Sequence, residues 1–160
     1  MSIEKARAYL AGYNADAGIK EFDVSSATVE LAAAALGCEP ARIAKTISLR
    51  QGGEVIVVVT AGDVKIDNQK YKSRFGLKAA MLKYEETEPL VGHAAGGVCP
   101  FGLNPGVAIY LDESLRRFAT VFPACGSGNS AIELSIQQLE TFCPQAVWVD
   151  VCAPKPAPQP

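Results

Sequence analysis

The sequence predicts an α/β fold of the mixed α+β kind: a single domain with a mixed β-sheet flanked by helices. Three observations predict it. A period-two run from Arg42 to Arg50 is turned by Gln51-Gly52-Gly53 into a second apolar run, Val55 to Thr60, which is the pattern of a β-hairpin. Segments with helical spacing interrupt further short strand-like runs without a regular βαβ repeat, so the sheet is expected to be mixed and to curl. With 160 residues, 49% of them hydrophobic and 20% charged, the chain is large enough to bury one core and too apolar to be disordered.

Taken in order, Ile3, Ala6, Leu10 and Tyr13 recur at helical spacing and place a first helix from Ser2 to about Ala17. Phe22 and Val24 read as a short strand. Ser25, Ser26 and Thr28 offer N-caps for a helix from Val29 to Leu36, which Gly37 closes. In the hairpin, Val55-Ile56-Val57-Val58-Val59 is apolar on both faces, as suits a central strand covered on both sides. Asp67 caps a short basic helix through Lys70, Tyr71, Lys72 and Phe75 to Gly76, Ala79 to Leu82 reads as a strand, and Glu85 to Val91 as a helical turn or two. Gly92 to Gly106 is too rich in glycine and proline to continue either structure, and Val107 to Leu111 resumes as a strand. A short helix at Asp112 and Ser114 follows, then strands at Phe118 to Phe122 and Ala131 to Leu134, a helix capped by Ser135, and a last strand at Val147 to Val149. The domain is expected to occupy residues 1–152, and residues 153–160 to form a flexible proline-rich tail without packing signals.

Composition narrows the function. Fifteen basic residues against seventeen acidic ones leave a net charge of −2, so contact with nucleic acid must come from a small patch and not from a basic face. Five scattered cysteines without a C-x-x-C pair argue against a disulfide framework or a zinc site, and no metal or other cofactor is expected. No apolar window approaches a membrane span, and the N-terminus lacks the apolar stretch of a signal peptide, so a cytoplasmic location without membrane contact is expected.

Three constellations could carry chemistry. Parity along the first hairpin strand puts Lys45 on the face of Ile43, Ile47 and Leu49, where its ammonium is expected to snorkel to a cleft, to sit partly desolvated beside an anion, or simply to reach water from an edge strand. The run from Gly92 to Leu103 contains adjacent glycines that let backbone N–H groups approach a ligand, while Pro100 fixes the turn. Gly126-Ser127-Gly128-Asn129-Ser130-Ala131 formally fits a dinucleotide fingerprint, but a strand follows where a helix should open, so it reads as a turn able to present N–H groups and Asn129. His93 is the only histidine, with Cys99 the nearest candidate nucleophile, and Asp63 and Asp67 read as loop and N-cap residues.

The segments Ser26 to Gly37, Ile43 to Ile47, Gly92 to Leu103 and Gly126 to Leu139 follow in order the motifs of the YbaK and prolyl-tRNA synthetase-associated editing domains, and the chain resembles that family from about Tyr9 to Val149. The resemblance implies a partly barrel-like sheet and hydrolysis, in trans, of the ester of a mischarged aminoacyl-tRNA. It implies that Lys45 is the essential lysine near the phosphate or ribose of the 3′ terminal adenosine, and that Gly97 within Gly96-Gly97-Val98-Cys99-Pro100 belongs to a loop whose backbone anchors the ester and the attacking water. Thr28, Thr46, Gly126, Ser127 and Asn129 would complete the substrate site. The partners implied are the 3′ acceptor end of an aminoacyl-tRNA and an aminoacyl-tRNA synthetase. Ala131 stands where some relatives that act on cysteinyl-tRNA for proline carry aspartate, so alanine, cysteine, serine and threonine are all open as the amino acid. Two other readings compete: a non-catalytic module that binds a tRNA end, an amino acid or a synthetase, and a thiol enzyme built on Cys99.

Overall fold

The computed structural model describes residues 2–156. Its centre is a mixed six-stranded sheet, curled into a half-barrel, in the order β8-β6-β2-β3-β5-β9. The predicted hairpin is its spine: β2 (Ile43–Gln51) pairs antiparallel with β3 (Glu54–Ala61) from Ala44 opposite Ala61 to Gln51 opposite Glu54. On the far side of β3 lie β5 (Ala108–Asp112) and then β9 (Val147–Val149), both parallel to their neighbours. Ile56, Val57, Val58 and Val59 are at most 1% exposed, because β3 is paired on both edges and covered on both faces.

The helices form where their caps predict. Thr28 accepts a hydrogen bond from the Leu31 N–H at the start of α2 (Val29–Leu36), and Gly37 closes it in the left-handed region at φ 69°. Asp67 does the same for α3 (Asn68–Phe75), and Ser135 with Gln138 forms a reciprocal capping box on α5 (Ile136–Phe142). α4 spans Tyr84–Val91. Helix α2 lays Ala32 and Ala33 on Ile43 and Phe122 in a small cluster beside the main core.

Several expectations are corrected. Helix α1 (Ser2–Ala11) stops well before Ala17, because Gly12 and the left-handed Asn14 (φ 58°) turn the chain out of it. The first strand is Lys20–Glu21 (β1), not Phe22 to Val24, and Val24 is 61% exposed. The stretch read as Ala131 to Leu134 splits: β7 (Ser130–Ala131) pairs with β1, while β8 (Leu134–Ser135) pairs with β6 (Thr120–Pro123). β6 starts after Phe118, whose N–H closes the preceding 3₁₀ helix on the Leu115 carbonyl. Residues 79–82 form no strand; they lie along β2 through an Arg50 N–H bond to the Ala80 carbonyl, a Leu82 N–H bond to the Ser48 carbonyl and one bridge at Met81. The start of the expected tail is also structured, since β10 (Cys152–Pro154) pairs antiparallel with β4 (Val64–Ile66). Residues 157–160 lie outside the described residues.

The turn between β3 and β4 holds this arrangement together. Gly62 is pressed so close to α2 and the chain before β2 that a Cβ there would lie 2.1 Å from the Pro40 carbonyl oxygen and 2.8 Å from a Val29 methyl. Gly62→Ala is therefore expected to lower the urea midpoint, by about 1–3 kcal/mol of stability as for other overpacked interiors, with little change in far-UV circular dichroism.

Candidate functional site

Strand β2 is fully paired along its β3 edge, but its other edge is interrupted. β6 reaches it only at Ile43 and Ala44, and the chain at 80–82 meets it again only from Ser48 onward. At the gap, Lys45 to Ile47, a cavity of about 340 Å³ opens. Six alanines, Ala27, Ala32, Ala44, Ala95, Ala124 and Ala131, share its lining with larger apolar side chains such as Ile47 and Phe122, and Met81 and Tyr84, which also line it, are 70% and 77% exposed.

Three loops meet over this gap. The Ser26 N–H donates to the Gly128 carbonyl at 2.7 Å, the Phe22 N–H to the Asn129 carbonyl at 2.8 Å, and the Asn129 side-chain amide returns to the Phe22 carbonyl at 3.1 Å. The glycine-rich loop is pressed on the same turn. A Cβ on Gly97 would lie 2.6 Å from the Ser127 nitrogen, and one on Gly96 (φ 92°) 3.3 Å from the Ala27 Cβ. Only glycine permits that approach.

Lys45 is half-buried, and its Nζ donates to the Val64 carbonyl at 2.5 Å. Burial, followed by the positive charge of Lys155 beside it, brings its pKa down to about 8. Near it, the hydroxyls of Ser26, Thr46 and Ser48 are buried on the cavity wall without a hydrogen-bond partner.

The residues singled out in the sequence fall into three groups. Thr28, Lys45, Thr46, Gly96 and Val98 line the cavity. Gly97, Cys99, Pro100 and Gly126 are buried behind the wall, with the Gly97 N–H bonded to the Ala94 carbonyl at 3.0 Å. Ser127 bonds Asn129 and Ser130, and the Thr28 hydroxyl is used by its helix, so these support the loops. Ser26, Ser48, Met81 and Tyr84 were not foreseen. Ser48 could have been, since it shares the period-two face of Thr46.

The thiol reading does not fit. Cys99 is fully buried, and desolvation lifts its pKa well above the ordinary value. His93 is also buried; its Nε2 donates to the Phe101 carbonyl at 2.6 Å, so the nitrogen 3.5 Å from the Cys99 sulfur carries a proton and cannot accept one. Asp63 is tied to Arg117 by two bonds of 3.0 and 2.6 Å, and no group of metal-binding side chains occurs among the described residues.

The family pattern described as the aminoacyl-tRNA editing domain matches residues 23–142. The chain belongs to this family. It is 51% identical over 153 residues to "Uncharacterized protein YwhH" of Bacillus subtilis, covering 95% of this chain and 98% of that one. It is 30% identical over 95 residues to a proline–tRNA ligase of Bacillus licheniformis, a match that covers 58% of this chain and only 16% of the ligase. Among solved structures, one described as "a putative trans-editing enzyme for prolyl tRNA synthetase" superposes with a TM-score of 0.85 at 25% identity, over 95% of this chain and 97% of the other. No helix among the described residues is long and apolar enough to cross a membrane.

The thiols give a direct check on this geometry. Cys38 is the only one of the five that is not buried. A disulfide reagent at pH 8 is expected to titrate about one thiol per native chain, at Cys38, and all five after denaturation; fast modification of Cys99 in the native protein would contradict the arrangement described.

Proposed function

We propose that this protein is a trans-acting aminoacyl-tRNA deacylase that removes a small amino acid from a mischarged tRNA, with tRNA for proline as the acceptor. The observation that carries this reading is the convergence of Lys45, Thr46 and the glycine-rich loop at Gly96 and Val98 on one cavity in a chain of the editing-domain family. The partial match to proline–tRNA ligases supports the choice of acceptor, and the six alanines in the cavity lining support a small aminoacyl group.

In this reading, Lys45 pairs with a phosphate near the 3′ terminal adenosine and fixes the ester over the cavity. The main chain at Gly96 and Val98 borders the reacting carbonyl and supplies N–H donors for the oxyanion, while Gly97 and the turn at Gly126 to Asn129 hold that loop in place. Water adds to the ester carbon, the bond to the ribose oxygen breaks, and that oxygen takes the proton; the products are free amino acid and uncharged tRNA. A cytoplasmic site of action and contact with a synthetase belong to the same proposal.

Deacylation of alanyl-, cysteinyl-, seryl- and threonyl-tRNA tests it, beside Lys45→Ala at matched concentration. One ester is expected to be hydrolysed, and Lys45→Ala to lose at least about 30-fold in kcat/KM, the lower end of the 2–5 kcal/mol cost of truncating a buried charge pair. Binding of tRNA without turnover of any ester would instead favour a non-catalytic module.

The pH profile has a definite sign. Only protonated Lys45 attracts phosphate, and with its pKa near 8 in the free protein, the charge is present below that pH and lost above it. After subtraction of spontaneous hydrolysis, kcat/KM should fall as pH rises through about 8; a profile that keeps rising through pH 9 would rule out the ammonium form.

A further inference from the structure

The short sheet formed by β4 and β10 brings a second lysine to the first. Lys45 donates to the Val64 carbonyl, and Val64 is paired with Pro154, the last residue of β10. One step further, the Lys155 N–H donates to the Asp63 carbonyl at 3.0 Å. The chain thus leaves β10 directly beside the point where the Lys45 ammonium is anchored, and the Lys155 side chain approaches that of Lys45 closely enough to interact with it.

Two ammonium groups so close repel each other, and a folded chain tolerates this only where something negative offsets it. Among the described residues, little negative charge is left over to offset them. Neither lysine takes part in an ion pair among the described residues. Asp63, which feels the charge of Lys155, is committed to Arg117 through both carboxylate oxygens. Burial keeps the Cys152 thiol protonated, so it adds no negative charge, and Glu30 on α2 acts on Lys45 only as the weakest of its electrostatic neighbours. The partner that completes the charge balance of the pair is an external anion.

We propose that β10 delivers Lys155 to Lys45 so that the two ammonium groups form one binding site for a phosphate of the tRNA acceptor end, a role for Lys155 that rests on the editing function proposed above. Lys155 lies beyond the region matched by the family pattern, which ends at residue 142. It is a binding residue for substrate and takes no part in bond breaking.

Competitive lysine acetylation of the full protein, read by mass spectrometry, tests this without any turnover. In wild type, inorganic phosphate should protect Lys45 and Lys155 together, relative to chloride at equal ionic strength, and leave Lys65 on β4 unprotected. Lys155→Ala should weaken phosphate protection of Lys45 about tenfold, as for loss of one charge-assisted contact, and Lys155→Arg should restore it. The same variant should move the midpoint of Lys45 acetylation to higher pH, since a like charge has been removed. Uncharged tRNA should protect both lysines at lower concentration than phosphate; protection by inorganic phosphate alone would assign the site to a free phosphate and overturn the RNA assignment. With a charged substrate, Lys155→Ala should raise KM about tenfold and leave kcat within about twofold. If Lys155→Ala leaves the protection of Lys45 unchanged, the shared site is wrong. If protection behaves as described but no ester is hydrolysed, the anion site stands and the deacylase reading falls.

Discussion

The interrupted edge of β2 is the constraint on which the rest of the molecule depends. A strand paired on both edges along its length has no backbone to offer a ligand, and one unpaired along a whole edge invites aggregation. Here β6 and the chain at 80–82 cover the two ends of that edge and leave a short stretch at Lys45 to Ile47 open. The long antiparallel ladder with β3 on the opposite edge keeps the open stretch extended and rigid. The cavity is thus a property of sheet topology, and the loops around it finish a shape that the strands begin.

Close backbone approach is the second determinant. Gly97 touches the turn at Gly126 and Ser127 at distances that exclude any side chain, and that turn is bonded to the chain before α2. Contacts of this kind are stiff, because a shift of one loop collides with the next instead of being absorbed by side-chain rotation. The three loops therefore behave as one lid frame seated on the sheet. In the deacylase proposed above, such a frame would let the oxyanion donors act without reorganising.

Much of this was legible in the sequence, and the reasons differ by element. The β2–β3 hairpin declares itself through period-two alternation broken by Gly52-Gly53, and α2, α3 and α5 through Thr28, Asp67 and Ser135 at their starts. The two-residue strands β1, β7 and β8 carry no such local signal, because so short a pairing is decided by the distant partner that reaches it. The same division holds at the site. Lys45, Thr46 and Gly96 could be picked from parity and glycine content, and they line the cavity. Ser26 and Tyr84 could not, since only the folding of remote segments brings them to the cavity that Lys45 lines. Cys99 and Pro100 lie in the motif but behind the wall, where they shape the loop and do not face a ligand.

The alanines in the cavity lining contribute the smallest side chain that still has a Cβ. In the genetic code every alanine codon becomes a valine codon by one base change at its second position. Each of Ala27, Ala95 and Ala124, which are not buried, is therefore one point mutation away from a wall two carbons thicker, whereas at the buried Ala32, Ala44 and Ala131 the same change would also press on the core. In the deacylase proposed above, the cavity would act as a sieve whose mesh narrows in single steps, so that lineages sharing this backbone could diverge in which amino acid they admit.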